Sequence, residues 1–155
     1  MALTSYQKEY SQRSKLGFPI DRIKNDSKFK MEIVLDCYEL TWNCPATHAT
    51  DFGRVFITYT PYKFVAETKA LKIYLQQYRN RDCFNEELSV RILCDFIFYI
   101  QPEKIEVKLA QNPRGGIGNT SIAKWDSNND EDFLNWKKLN YTPKKGFRGG
   151  WAMVK

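Results

Sequence analysis

Thr41-Trp42-Asn43-Cys44-Pro45-Ala46-Thr47-His48-Ala49-Thr50-Asp51-Phe52-Gly53 is the stretch on which the fold turns. On its N-terminal side Ile33, Leu35 and Cys37 alternate with Glu32, Asp36 and Tyr38, and an apolar run continues to Trp42. On its C-terminal side Val55, Ile57 and Tyr59 alternate with Arg54, Phe56, Thr58 and Thr60 until Pro61 closes the run. A period of two marks a half-buried strand, so both flanks are predicted as strands of an antiparallel pair, with residues 44–51 as the loop between them. That loop gathers a cysteine, a histidine and a carboxylate on a scaffold able to hold reactive groups. A thiol beside a proton donor is the minimum apparatus for covalent attack on an electrophilic carbon. The bland alternative is an inert loop cysteine, which these residues alone leave open.

Working outward, Thr68 reads as a helix N-cap ahead of Lys69-Ala70-Leu71-Lys72-Ile73-Tyr74-Leu75-Gln76-Gln77-Tyr78. Leu71, Tyr74, Leu75 and Tyr78 fall on one helical face, whereas Lys69, Lys72 and Gln76 fall on another. A second helix is predicted over about residues 85–101. It would bury Leu88, Ile92, Leu93, Phe96 and Ile100 and stop at Pro102. Ile105, Val107 and Leu109 mark a third strand, Asn112-Pro113-Arg114-Gly115-Gly116 a turn, and residues 117–124 a fourth strand. The order ββααββ belongs to an α+β class, an antiparallel sheet with two helices on one face. Beyond Trp125, the polar run over residues 126–132 is expected to cap a short helix through Phe133, Leu134 and Trp136. Gly146-Phe147-Arg148-Gly149-Gly150-Trp151 reads as an aromatic, glycine-rich tail. Three parts are therefore expected: a basic N-terminal arm over residues 1–30 with one short helical turn, a domain over 31–124, and a basic, aromatic C-terminal extension over 125–155.

A chain of 155 residues that is 43% hydrophobic can bury a real core, which argues against disorder. No run of 18 apolar residues is present, and residues 1–10 lack the apolar segment of a secretory signal, so no membrane partner is expected. Cys37, Cys44, Cys83 and Cys94 form no CxxC and no zinc ligand set, which points to a reduced, cytoplasmic protein without a metal. Residues 1–30 hold seven Lys/Arg against three Asp/Glu (net +4). Residues 124–155 hold seven against four (net +3), and the middle is near neutral at ten against eleven. Basic ends of this kind are either solvated or approach phosphates, of a nucleotide cofactor or of a nucleic acid.

Taken together, the motifs resemble the 7-cyano-7-deazaguanine reductase (QueF) family. Cys44-Pro45-x-Thr47 followed by Asp51-Phe52-Gly53 is similar to the family's nucleophile loop. Glu67-Thr68-Lys69-Ala70-Leu71-Lys72-Ile73-Tyr74 resembles its signature run. Tyr78-Arg79-Asn80, Phe84, Glu86 and the segment at residues 112–116 follow in the family's order. The resemblance covers about residues 31–123 and neither basic extension. It implies a tunnelling fold (T-fold), a homo-oligomer whose subunits close a barrel through their sheets, and active sites between subunits. It also implies reduction of the nitrile of 7-cyano-7-deazaguanine to a primary amine with two NADPH, a step towards the tRNA nucleoside queuosine.

The same resemblance distributes the roles. Cys44 is the expected nucleophile, forming a thioimide that accepts hydride more readily than a nitrile does, and Asp51 the acid that protonates the nascent nitrogen. Ala66, Glu67, Thr68, Phe84, Asn85 and Glu86 are expected at the substrate, whose ring N–H and exocyclic amine suit a carboxylate acceptor. Lys69, Lys72 and Arg114 are expected at the NADPH. Two positions depart from the family pattern: Asn85 stands where a histidine is usual, and His48 where a small residue is usual. Asparagine cannot shuttle a proton near neutral pH. Either His48 supplies some of that acid–base work, or the chain has moved to a related task. One such task is amidine formation on a 7-cyano-deazaguanine already in nucleic acid, which the basic ends would suit. A non-catalytic purine-binding protein is the remaining alternative.

Overall fold

A computed structural model describes residues 20–141. The helical turn expected in the N-terminal arm, as far as it concerns residues 1–19, and the tail at residues 146–151 lie outside the described residues. The elements are β1 (Arg22–Lys24), β2 (Ile33–Asn43), β3 (Thr50–Thr60), β4 (Phe64–Ala66), α1 (Thr68–Gln76) with a 3-10 turn at Gln77–Asn80, α2 (Asn85–Ile100), β5 (Lys104–Arg114), β6 (Ile117–Asp126) and α3 (Asp130–Leu139). Strands β2-β3-β5-β6 form one antiparallel sheet in that order, and β1 pairs with β4 in a separate ribbon.

The period-two pattern decides which face of the sheet is buried. Val55, Ile57 and Tyr59 of β3 and Ile105, Val107 and Leu109 of β5 point into one core. They meet Leu71, Tyr74 and Leu75 of α1 and Leu88, Ile92, Phe96 and Ile100 of α2 there. Arg54, Phe56 and Lys108 point to the other face, where the Arg54 guanidinium lies 4.0 Å from the Tyr38 ring centroid and bonds to Asp36. In β2 the alternation breaks. Cys37 pairs with Val55 but Leu40 pairs with Gly53, so one extra residue is inserted. This β-bulge moves the inward positions from Ile33, Leu35 and Cys37 to Leu40 and Trp42. Trp42 is fully buried and leans on Gly53, where an added Cβ would lie 2.9 Å from its ring and 2.8 Å from the Ala110 carbonyl. Glycine is thus required at 53 by close approach, and the bulge and the glycine together seat the end of the hairpin that carries Cys44.

Several expected boundaries move. Strands β5 and β6 run on to Arg114 and Asp126, so the turn narrows to Gly115 and Gly116, both at positive φ (58° and 80°). The cap of α1 is Glu67, not Thr68: its carboxylate accepts from the backbone N–H groups of Lys69 and Ala70 at 3.0 and 2.8 Å. A carboxylate at that position satisfies two orphan donors and also favours the helix dipole, which a threonine one residue later does not. Ile20 is 2% exposed in the core and β1 is hydrogen-bonded to β4, so the basic N-terminal part is attached to the domain from residue 20 onward. At the other end, Trp136 of α3 packs on Trp125, and Tyr141 donates a hydrogen bond to the buried Asp95 of α2.

Candidate active site

The loop after β2 is closed by its own backbone. The Cys44 N–H donates to the Ala49 carbonyl and the His48 N–H to the Cys44 carbonyl, each at 2.8 Å, with His48 in the left-handed region (φ 58°). The segment entering α2 is stitched alongside. The Asn43 N–H donates to the Arg81 carbonyl at 2.9 Å and the Cys83 N–H to the Asn43 carbonyl at 3.0 Å. Phe84, Asn85 and Glu86 are thereby delivered to the same end of the sheet as Cys44.

Cys44 is partly exposed, and its thiol is held below the usual range. The Thr47 hydroxyl contributes most, followed by the Thr47 backbone N–H; burial opposes them, and the Ala46 backbone and the Arg114 side chain lower it by less. The other three cysteines go the opposite way: burial pushes Cys37 up to about 11 and Cys83 and Cys94 each to about 12. Reactivity of a cysteine follows its thiolate, so Cys44 is the reactive one of the four. Asp51 is 4% exposed, and Arg114 donates to its carboxylate while also bonding to the Cys44 sulphur. Cys44, Asp51 and Arg114 therefore meet in one contact.

His48 belongs to the same loop but turns to Asp82, with Nδ1 3.1 Å from the carboxylate. Asn85 is 4% exposed and held on every side: its amide donates to the Asn119 carbonyl at 3.0 Å, and its oxygen accepts from the Ser121 hydroxyl at 2.6 Å. It joins the start of α2 to β6. Glu86 is exposed and accepts from the Asn119 amide at 2.9 Å, and Phe84 is 45% exposed beside it.

The second group of expected residues lies elsewhere in the chain. The Ala66 N–H donates to the Tyr59 hydroxyl at 3.0 Å, so Ala66, Glu67 and Thr68 sit near the far end of β3. Tyr59 is eight residues from Asp51, or roughly 27 Å along an extended strand. Lys69 and Lys72 are exposed on α1. Lys72 borders a groove of about 660 Å³ between α1 and β2, with Tyr38, Leu75 and Arg79 also on its walls. A cavity of about 1010 Å³ among α2, α3 and residues 20–30 contains neither group. The structure thus brings Cys44, Asp51, Phe84, Asn85, Glu86 and Arg114 to one end and leaves Ala66, Glu67, Thr68 and Lys69 near the other. Sequence reasoning missed Thr47 as the sulphur's hydrogen-bond partner and Arg114 as the link between Cys44 and Asp51. The adjacency of Arg114 to a Gly-Gly turn at a sheet end was the available signal. Among the described residues no helix is long and apolar enough to cross a membrane.

Comparison with known proteins shows the family and the fold. A family model described as QueF-like protein matches residues 50–130. The chain is 40% identical over 89 residues to the NADPH-dependent 7-cyano-7-deazaguanine reductase of Rhodopirellula baltica, covering 57% of this chain and 74% of that protein. It is 34% identical over 139 residues to the enzyme of the same name from Helicobacter pylori, covering 90% of this chain and 91% of that one. Among solved structures, the apo archaeosine synthase QueF-Like superposes with a TM-score of 0.55 at 21% identity, covering 64% of this chain and 95% of that one. The last likeness concerns the fold, an α+β T-fold with helices packed against an antiparallel sheet.

Proposed function

The chain belongs to the QueF-like family, and from that premise we propose that it is an NADPH-dependent nitrile reductase converting 7-cyano-7-deazaguanine to 7-aminomethyl-7-deazaguanine through a thioimide on Cys44. The observation that carries this reading is the accessible Cys44, its thiol favoured as thiolate by Thr47 and Arg114, in one contact with Asp51. A thiolate adds to the nitrile carbon, and the nitrogen that gains an electron pair needs a proton. Asp51, across Arg114 from the sulphur, is the donor in this reading. Phe84 can cover the flat face of the base, and Glu86 can accept from its N–H edge.

Lys69 and Lys72 suit the phosphates of NADPH, because both are exposed cations three residues apart on one helix beside a groove. NADPH, when bound, supplies the hydrides. The separation of Glu67, Thr68 and Lys69 from Cys44 along the sheet supports a site shared between subunits: the cysteine end of one chain would face the α1 start of another. A homo-oligomeric barrel closed by β2 and β6, the outer strands of the sheet, is the assembly that fits. A cytoplasmic location is part of the reading, since free thiolates persist there. A nucleic-acid partner would use the basic ends, of which residues 1–19 and 142–155 lie outside the described residues.

Incubation of the protein with 7-cyano-7-deazaguanine and NADPH tests the reading. It predicts about two NADPH oxidised per nitrile, from the electron count of nitrile to amine, and no oxidation with Cys44→Ala. A second reading, amidine formation without NADPH, is favoured by Asn85. This residue is fully engaged in holding α2 to β6 and offers no titrating group. A Cys44 adduct with no loss of NADPH would support that second reading.

A further inference from the structure

We propose that Arg114 is a positioning residue of the nucleophile: its guanidinium holds the Cys44 sulphur and the Asp51 carboxylate together and matches their single negative charge wherever the proton lies. The inference rests on the reductase reading of the same site and adds a role for Arg114 that does not depend on NADPH. Arg114 is the last residue of β5, just before Gly115 and Gly116 at φ 58° and 80°. Neither glycine has any atom within 4 Å of an added Cβ, so they serve the turn's backbone and not its space. The β5–β6 register is irregular between Gln111 and Arg114. With that irregularity and the tight turn, Arg114 leaves the regular ladder and its side chain reaches Asp51. Other charged groups at this end have partners of their own: His48 meets Asp82 at 3.1 Å, and Glu86 accepts from Asn119.

A guanidinium has five donors in a planar fork, enough to serve two anions at once. The Cys44 S–H bond breaks, and its proton passes to the Asp51 carboxylate. The negative charge moves from oxygen to sulphur without leaving Arg114. Sulphur then bonds to the nitrile carbon, one C–N π pair moves onto nitrogen, and the Asp51 O–H bond breaks to protonate it. The net change is one S–C bond formed and the thiol proton moved to nitrogen. Asp51 ends as the carboxylate it began as, against the same arginine, and no electrons are exchanged.

Alkylation of Cys44 by iodoacetamide between about pH 5 and about pH 9, followed by intact mass, tests this without nitrile or NADPH. Cys37, Cys83 and Cys94 are held as thiols by burial, so early adducts report Cys44. Replacement R114Q is expected to slow alkylation at neutral pH by about two- to threefold and move the acid limb upward, with R114K recovering part of the loss. Should R114Q not fold, R114A serves the same comparison. An unchanged alkylation profile with only the KM for NADPH raised would overturn the proposal and leave Arg114 a cofactor contact. A protein that shows the Arg114-dependent profile yet never oxidises NADPH would instead overturn the reductase reading and leave this one standing.

Discussion

At the scale of single residues, the chemistry is a matter of which groups share a hydrogen bond. Cys44 is tuned chiefly by its own loop, through the Thr47 hydroxyl and backbone, with a smaller contribution from Arg114 at the end of β5. Because the thiol is held low, its alkylation is expected to reach half-maximum below the pH of about 8.5 typical of a free cysteine. A midpoint at or above that value would contradict the tuning. Asp51→Asn keeps the shape but cannot donate the proton, and nitrile reduction should fall about a hundred- to ten-thousandfold. Undiminished turnover would remove Asp51 from the chemistry. Cys44 and Asp51 were legible in the sequence because a short hairpin keeps them together, although Asp51 proves to be the second residue of β3, paired with Trp42, and not part of the loop. Arg114 lies 63 residues beyond Asp51, and only the pairing of β3 with β5 brings the two together. No local pattern carries that information. Asn85 shows the complementary difficulty: read as a substrate residue, it also proves to be a buried polar link between α2 and β6.

At the scale of elements, period-two and helical spacing were enough to place four strands and two helices, because each has one apolar side and one polar side. The three-residue strands β1 and β4 are too short to show a period and were not foreseen. The bulge in β2 was hidden as well, since Tyr38 and Glu39 read as a continuation of the strand. The bulge matters because Trp42 and Gly53 lock the hairpin behind Cys44. Gly53→Ala places a methyl against backbone and indole at once and is expected to destabilise by about 1–3 kcal/mol in urea unfolding. A variant as stable as the wild type would show that the hairpin end relaxes freely. Helix α2 carries a second hidden feature, Asp95, buried and bonded by the hydroxyls of Tyr74 and Tyr141. Burial raises its carboxyl above the usual carboxylate range, so the folded chain binds that proton more tightly than the unfolded one. Its contribution is full below the unfolded value, about pH 3.9, and is lost as pH rises through the folded value. Asp95→Asn should therefore flatten the decline in the urea midpoint on going from acid towards neutral pH. An unchanged slope would place the titration in another group.

At the scale of the whole molecule, the two groups of expected site residues sit too far apart in one chain to touch one substrate. Mixing inactive Cys44→Ala chains with inactive Glu67→Ala chains should restore activity if subunits exchange, because some interfaces then pair two intact halves. No recovery after verified exchange would place both halves in one chain. The T-fold and the antiparallel sheet were legible from the order of elements and the resemblance together. A division of the site between copies was implied by the resemblance alone, since the pattern of one sequence says nothing of its neighbours. All of this depends on a bond between the Cys44 sulphur and a nitrile carbon. The most direct measurement is the intact mass of the protein after incubation with 7-cyano-7-deazaguanine and no NADPH. A gain of one substrate mass, located at Cys44 and discharged on adding NADPH, is predicted. A protein of unchanged mass, or one labelled equally after Cys44→Ala, would contradict it.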